Sequence, residues 1–277
     1  MRIARVFPRR TNASPCDDLA FFDAPGLFPP KVDEVHVSIV FSWDLEWGLQ
    51  LAREWERIAP VKVGGPATGM RGEDFTPGMY LNHGHVITSR GCNNRCWFCS
   101  AWKREGKIRE LPIRDGWIVT DDNWLGTSKE HKRDTGDMLM RQPSRPEFRG
   151  GLEARLLTHE DAVMLRSLKP RRLYFAYDTP GDYAPLCDAG FTLRMAGFTT
   201  ESHTLSAYVL CGWPKSKHRK ADTFLQAERR MRKTMDAGFV PFAMAYRDND
   251  GKKQPGWAAF QKRWARPQIM FAKEFPR

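Results

Sequence analysis

The chain has 277 residues, 41% of them hydrophobic and ten of them Trp, with a formal net charge of +11. That length and apolar fraction support one large domain, or one domain with an appendage, and exclude a disordered or fibrous chain. No apolar run approaches the roughly 18 residues that span a bilayer, and the basic amino terminus has no apolar h-region behind it. The expectation is a soluble, cytoplasmic protein with no membrane partner.

In chain order, residues 1–32 read as loop, with prolines at 8, 15, 25, 29 and 30. "VDEVHVSIVF" (32–41) reads as a buried strand. "WDLEWGLQLAREWERI" (43–58) reads as an amphipathic helix with Leu45, Leu49, Ala52, Trp55 and Ile58 on one stripe. "VKVGGP" (61–66) is a second short strand, and the three elements make a small βαβ unit. A turn-rich stretch (69–80) follows.

After it the alternation is regular. Strands are expected at 85–89, 116–124, 147–156, 172–178, 204–212 and 239–246. Helices are expected at about 128–141, 158–168, 181–197 and 221–238, with a capping helix at 256–271 packed by Trp257, Phe260, Trp264 and Met270. Thr158 followed by Asp161 is a helix start signal. Strands alternating with helices predict an α/β fold with a parallel sheet. Six strands after residue 80 suit a partial (β/α)6 TIM-type barrel with a small N-terminal βαβ extension. The expected domains are 1–79, 80–250 and a tail at 251–277.

Six cysteines occur, and three fall within eight residues in "TSRGCNNRCWFCSAW" (88–102): Cys92, Cys96 and Cys99. Such a cluster in a reducing compartment points to metal or redox chemistry. Cubanes are normally held by four thiolates. Three thiolates at spacings of three and two can reach three irons and leave the fourth open to a small molecule. Gly91 allows a sharp turn before the first ligand, and Trp97 and Phe98 can keep water off a redox centre. A structural zinc site with His83 or His85 as fourth ligand stands beside this reading.

The Cys-x3-Cys-x2-Cys loop, with an aromatic before the last Cys and directly after a strand, resembles the radical S-adenosylmethionine (SAM) superfamily. "TSRGCNNRCWFCS" is similar to the loop of its methylthiotransferase-like and cobalamin-associated branches, with Asn93 where those often have Pro. The resemblance covers roughly residues 80–246. It implies a [4Fe–4S] cluster on Cys92, Cys96 and Cys99 and SAM bound at the open iron. It further implies a one-electron reductant such as flavodoxin or ferredoxin, and a 5′-deoxyadenosyl radical that abstracts hydrogen from an unidentified substrate.

By position, Asp121 and Asp122 end the second strand, where the family receives the SAM amine, although the common Gly-Gly-Glu is missing. Glu153 and Arg155 lie on the third strand, where polar residues touch SAM. Asp178 ends the fourth and would bond the ribose. Arg194 would meet the carboxylate, and Gly212 and Val240 stand where the family cradles adenine. The bland reading of the aspartates is helix N-capping. Cys211, at the end of a strand facing the expected site, is read both as a hydrogen-atom donor and as a buried small hydrophobe. The first βαβ unit resembles the tail of a cobalamin-binding domain, but Asp33 and His36 have the wrong spacing for its cobalt ligand, so bound cobalamin is not expected.

From Cys211 to the end there are sixteen Lys/Arg against six Asp/Glu. This basic quarter, 211–277, supplies the alternative function: a zinc- or cluster-stabilised module that grips nucleic acid without catalysis.

Overall fold

The computed structural model describes residues 1–265, which divide into two compact units. The first is Met1–Gly116 with Asn249–Gly251; the second is Trp117–Asp248 with the residues from Lys252 onward. The division falls after Gly116 and not at residue 79, which puts the cysteine loop in the first unit. The reason is local. The loop's Glu105 and Arg109 bond back to Gly72, in the turn-rich stretch that was expected to separate domains. Among the described residues no helix is long and apolar enough to cross a membrane.

In the first unit, strands β1 (Ile3–Val6), β2 (Ala20–Phe21), β3 (Glu34–Ser38) and β4 (Val61–Gly64) form a parallel sheet in the order β2-β1-β3-β4. The amino terminus is therefore not the loop expected of it. β1 is an inner strand, four residues long, and its alternation is masked by Arg5. Ala4 and Val6 face the core while Arg5, itself buried, donates to the carbonyl of Gly78 and pairs with Asp17.

Helix α1 (Leu45–Trp55) packs on that core with Val35, Val37 and Ile39. Its buried stripe is Gly48, Leu51, Ala52 and Trp55, while the predicted Leu49 is 39% exposed. Gly48 explains the rotation. A Cβ there would lie 2.4 Å from Ile39 Cδ1, so the helix meets the sheet through its glycine. Short strands β5 (His85–Val86), β6 (Ser89–Arg90) and β7 (Arg109–Glu110) follow in this unit, with helix α2 (Ala101–Glu105) between the last two.

The second unit alternates strictly: β8 (Ile118–Val119), α3 (Lys129–Met140), β9 (Glu147–Leu152), α4 (His159–Ser167), β10 (Arg172–Ala176), α5 (Tyr183–Met195), β11 (Leu205–Cys211), α6 (Phe224–Asp236), β12 (Val240–Ala245) and α7 (Trp257–Trp264). All four strand pairings are parallel, and spatial order follows chain order from β8 to β12. An α/β architecture with parallel sheets is thus observed. Because the order never reverses, the near-universal right-handed crossover puts every connecting helix on one face.

Burial agrees with that assignment. Leu173, Phe175, Leu205, Ala207, Val209 and Ala243 alternate onto one face and are almost wholly buried. On the other face Tyr174 stacks on Tyr208 with centroids 4.5 Å apart, and the Phe242 ring stands edge-on to both. α7 packs on β12 within this unit, through Gln261 Nε2 to Ala243 O at 3.0 Å. Met270 and the rest of the expected 256–271 helix lie outside the described residues.

α4 starts as its sequence requires. Thr158 Oγ1 accepts from Asp161 N at 3.1 Å, and Asp161 Oδ2 accepts from Thr158 N at 3.2 Å, a reciprocal capping box. Thr158→Ala is expected to lower stability by about 1 kcal/mol in urea unfolding, since the Asp161 amide loses its acceptor and the Asp161 carboxylate loses the Thr158 hydroxyl donor.

Candidate functional site

In the first unit the chain from Gly91 to Ile108 is a closed loop. β6 and β7 pair antiparallel at its base, with Ser89 opposite Glu110 and Arg90 opposite Arg109. Gly91 turns the chain at φ +89°, where a Cβ would sit 2.3 Å from Lys107 O, so only glycine fits. Cys92 N donates to Gly106 O at 3.1 Å and Trp102 Nε1 donates to Cys96 O at 3.0 Å, which holds the cysteine segment against α2.

Glu105 anchors the structure from below. Its carboxylate is almost completely buried and accepts from Arg104 Nε (2.8 Å), Arg109 Nη2 (3.1 Å) and Gly72 N. Burial alone would raise this acid. The bonds from Arg104, Gly72 and Arg109 outweigh it and keep the carboxyl below the usual range.

Cys92, Cys96 and Cys99 are all half-buried, and none of the six cysteines is in a disulfide. Asn94 N points at Cys92 Sγ from 3.4 Å, the contact that stabilises thiolate charge. Trp97 and Phe98 stand edge to face at 5.4 Å, also half-buried. Among the described residues no group of three or more His, Cys, Asp or Glu is placed to hold a metal ion. A cubane instead spreads its thiolates over separate irons. Three soft donors on one short loop, an amide bond to sulfur and two aromatic neighbours suit such a cluster.

In the second unit the carboxyl ends of the strands gather most of the predicted polar residues. β8 is shorter than expected, so Asp121 and Asp122 follow it rather than end it. The chain bends there beside Gly150 of β9, where a Cβ would meet Asp121 O at 1.8 Å. Glu153 and Arg155 likewise lie beyond β9, in a tight turn. Glu153 Oε2 accepts from Asn123 Nδ2 at 2.8 Å, and Arg155 Nη2 pairs with Asp182 Oδ1 at 2.7 Å.

Asp178 is half-buried just after β10. Its Oδ1 accepts from Leu210 N at 3.0 Å, taking the place of a ladder carbonyl between β10 and β11. Burial pushes its carboxyl up to about 7, against the pull of the Leu210 amide and with a further push from Asp182. Gly212 lies just past β11 at φ +75°, and its N donates to Asp222 Oδ2 at 2.8 Å. Asp222 is closed in by Arg230 Nη2 at 2.6 Å, and that guanidinium also lies 4.7 Å over the Trp213 ring.

Three expected residues are placed elsewhere. Val240 is the first residue of β12 and pairs with Ser206, six positions before Gly212, or roughly 20 Å along the strand. Arg194 is in the last turn of α5, with Nη1 on Ala237 O at 3.3 Å, also at the amino end of the strands. Cys211 shares the parity of Ala207 and Val209, so it faces the helices and not the face that carries Tyr208. It is fully buried, and burial pushes its thiol up to about 12. The expectation that it faces a site is corrected; a strand's odd and even positions point opposite ways.

Sequence reading missed Asn123, Asp182, Asp222 and Arg230. Asp182 had a signal, because Thr179-x-x-Asp182 repeats the Thr158-x-x-Asp161 pattern and forms the same box. Asp222 and Arg230 had none beyond their membership of a basic stretch. That stretch is partly consumed by structure: Arg230 pairs with Asp222, Arg232 with Glu228, and Lys233 lies 4.6 Å over the Tyr183 ring.

No protein-family model matches the chain, and no curated protein matches it either.

Proposed function

We propose that this protein is a radical SAM enzyme whose [4Fe–4S] cluster is held by Cys92, Cys96 and Cys99. The observation that carries the reading is the pinned loop: three half-buried thiols within eight residues, an amide on Cys92 Sγ, and an anchor, Glu105, that holds the loop without using the cysteines. When bound, the cluster supplies the single electron that splits SAM into methionine and a radical able to take hydrogen from a substrate.

The chain's own part is to hold and to shield. Trp97 and Phe98 limit water at the thiolates. The half-buried carboxyl of Asp178 has one oxygen on Leu210 N and is assigned to the ribose hydroxyls of SAM. Asp121, Glu153 and Gly212 remain assigned to the cofactor by position, while Val240, Arg194 and Cys211 are withdrawn. The finer fold class, a partial (β/α)6 barrel, belongs to the same proposal. Its support is the unreversed parallel order of β8 to β12, since doubly wound sheets reverse at a switch point.

The test is anaerobic reconstitution with iron and sulfide, then dithionite and SAM, with 5′-deoxyadenosine measured by chromatography. Its formation is the expected result. One bound zinc per chain with SAM intact sinks the reading.

A further inference from the structure

We propose that a cleft at the amino ends of β9, β10 and β11 binds a phosphate group. Its volume is about 110 Å³, and it is lined by Arg145, Arg166, Lys169, Thr199, Ser202 and Thr204. A cavity of roughly 150 Å³ accepts benzene, so a tetrahedral oxyanion has room.

The two arginines are set in place without being neutralised. Arg145 donates Nε to Lys169 O at 2.8 Å and Nη2 to Pro170 O at 2.9 Å. Arg166 donates Nε to Gly197 O at 2.9 Å and lies 5.7 Å over the Phe198 ring. All these partners are uncharged. No acidic side chain lines the cleft, and none of the three cations has an ion pair among the described residues.

The competing explanation is that basic side chains simply complement the ends of α4 and α5. Each helix end contributes at most about half a negative charge. Glu201, on the neighbouring turn, accepts from Thr200 Oγ1 at 3.2 Å and does not line the cleft. Counting both helix ends and Glu201 in full against three cations still leaves the cleft positive.

Lys169 adds an independent sign. It stands directly after the C-cap of α4 at φ +49°, where Gly or Asn is usual. A lysine in the left-handed region carries a strain that Asn would relieve, which is understandable where an ammonium is needed. The cleft lies at the opposite end of the sheet from Asp178 and Gly212, so the inference does not depend on the cluster. Phosphate is favoured over a carboxylate because three separate basic residues, and not one bidentate clamp, line the cleft.

The test is calorimetric titration with inorganic phosphate and with adenosine monophosphate, at ionic strength held constant with potassium chloride. Saturable binding is expected, weakened about tenfold by Lys169→Asn and by Arg166→Gln. Lys215→Gln, on a different loop, is expected to leave it unchanged. Lys169→Asn keeps the backbone conformation, so it tests the charge even if Arg166→Gln disturbs the Gly197 turn. Tighter binding of the nucleotide identifies a phosphorylated small molecule as the ligand, and equal binding identifies free phosphate. Absence of saturable binding, or affinity unchanged in Lys169→Asn, overturns the proposal.

Discussion

Alanine at any one of Cys92, Cys96 or Cys99 is expected to reduce iron content after reconstitution to near background and to abolish 5′-deoxyadenosine formation. A cluster already one thiolate short of the usual four has no ligand to spare. The loop itself should survive. Its closure rests on the β6–β7 pair, on Cys92 N to Gly106 O, on Trp102 Nε1 to Cys96 O, and on the Glu105 carboxylate. Thermal unfolding of the apo variants is therefore expected to stay within about 1 kcal/mol of wild type. Cys16→Ala and Cys187→Ala should keep full iron content. If all three loop variants reconstitute normally, the thiols are not cluster ligands and the proposed function is lost with them.

The second large effect is a pH dependence at Asp178. Its carboxyl has an ordinary value of 3.8 and is raised to about 7 in the fold, chiefly by burial. The folded state therefore binds the proton more tightly than the unfolded chain does. The stability linked to this group is fully present below pH 4 and is lost as pH rises to about 7. At about 1.4 kcal/mol per pH unit the upper bound on that loss is roughly 4 kcal/mol.

Asn at this position mimics the protonated acid and keeps an acceptor for Leu210 N. Asp178→Asn should therefore be more stable than wild type at pH 8, by up to about 4 kcal/mol, and level with it near pH 4. Urea unfolding at the two pH values reads this directly. Under the proposed function the same variant binds SAM more weakly, because a carboxylate accepts two ribose hydroxyl bonds and an amide oxygen accepts them less well. A gain in stability with a loss of binding marks a residue kept for function. A loss of stability at pH 8 would instead make Asp178 a purely structural acceptor.

Much of the fold follows from local chemistry. α4 was legible because Thr158 and Asp161 satisfy each other within four residues. β10, β11 and β12 were legible because largely buried parallel strands show as near-continuous apolar runs, and each occurs where those runs lie. The cysteine loop could be read because its three cysteines share one short stretch, and so could Gly91, whose conformation the turn demands.

What the sequence could not show depends on partners distant along the chain. β1 is four residues with an arginine in the middle, and it becomes an inner strand only because β2 and β3 supply both its ladders. The face of α1 was decided by Gly48 meeting Ile39, a contact that no helical period encodes. Arg230 counted as surface charge until Asp222, eight residues away, took it inside with Gly212 N. Cys211 sits one residue before Gly212, yet the pleat sends it to the helices. Spacing along the chain determined which residues could act together in one loop. The register of the parallel strands decided which of the others share an end or a face, because that register is set by packing across the sheet and not by neighbours in sequence.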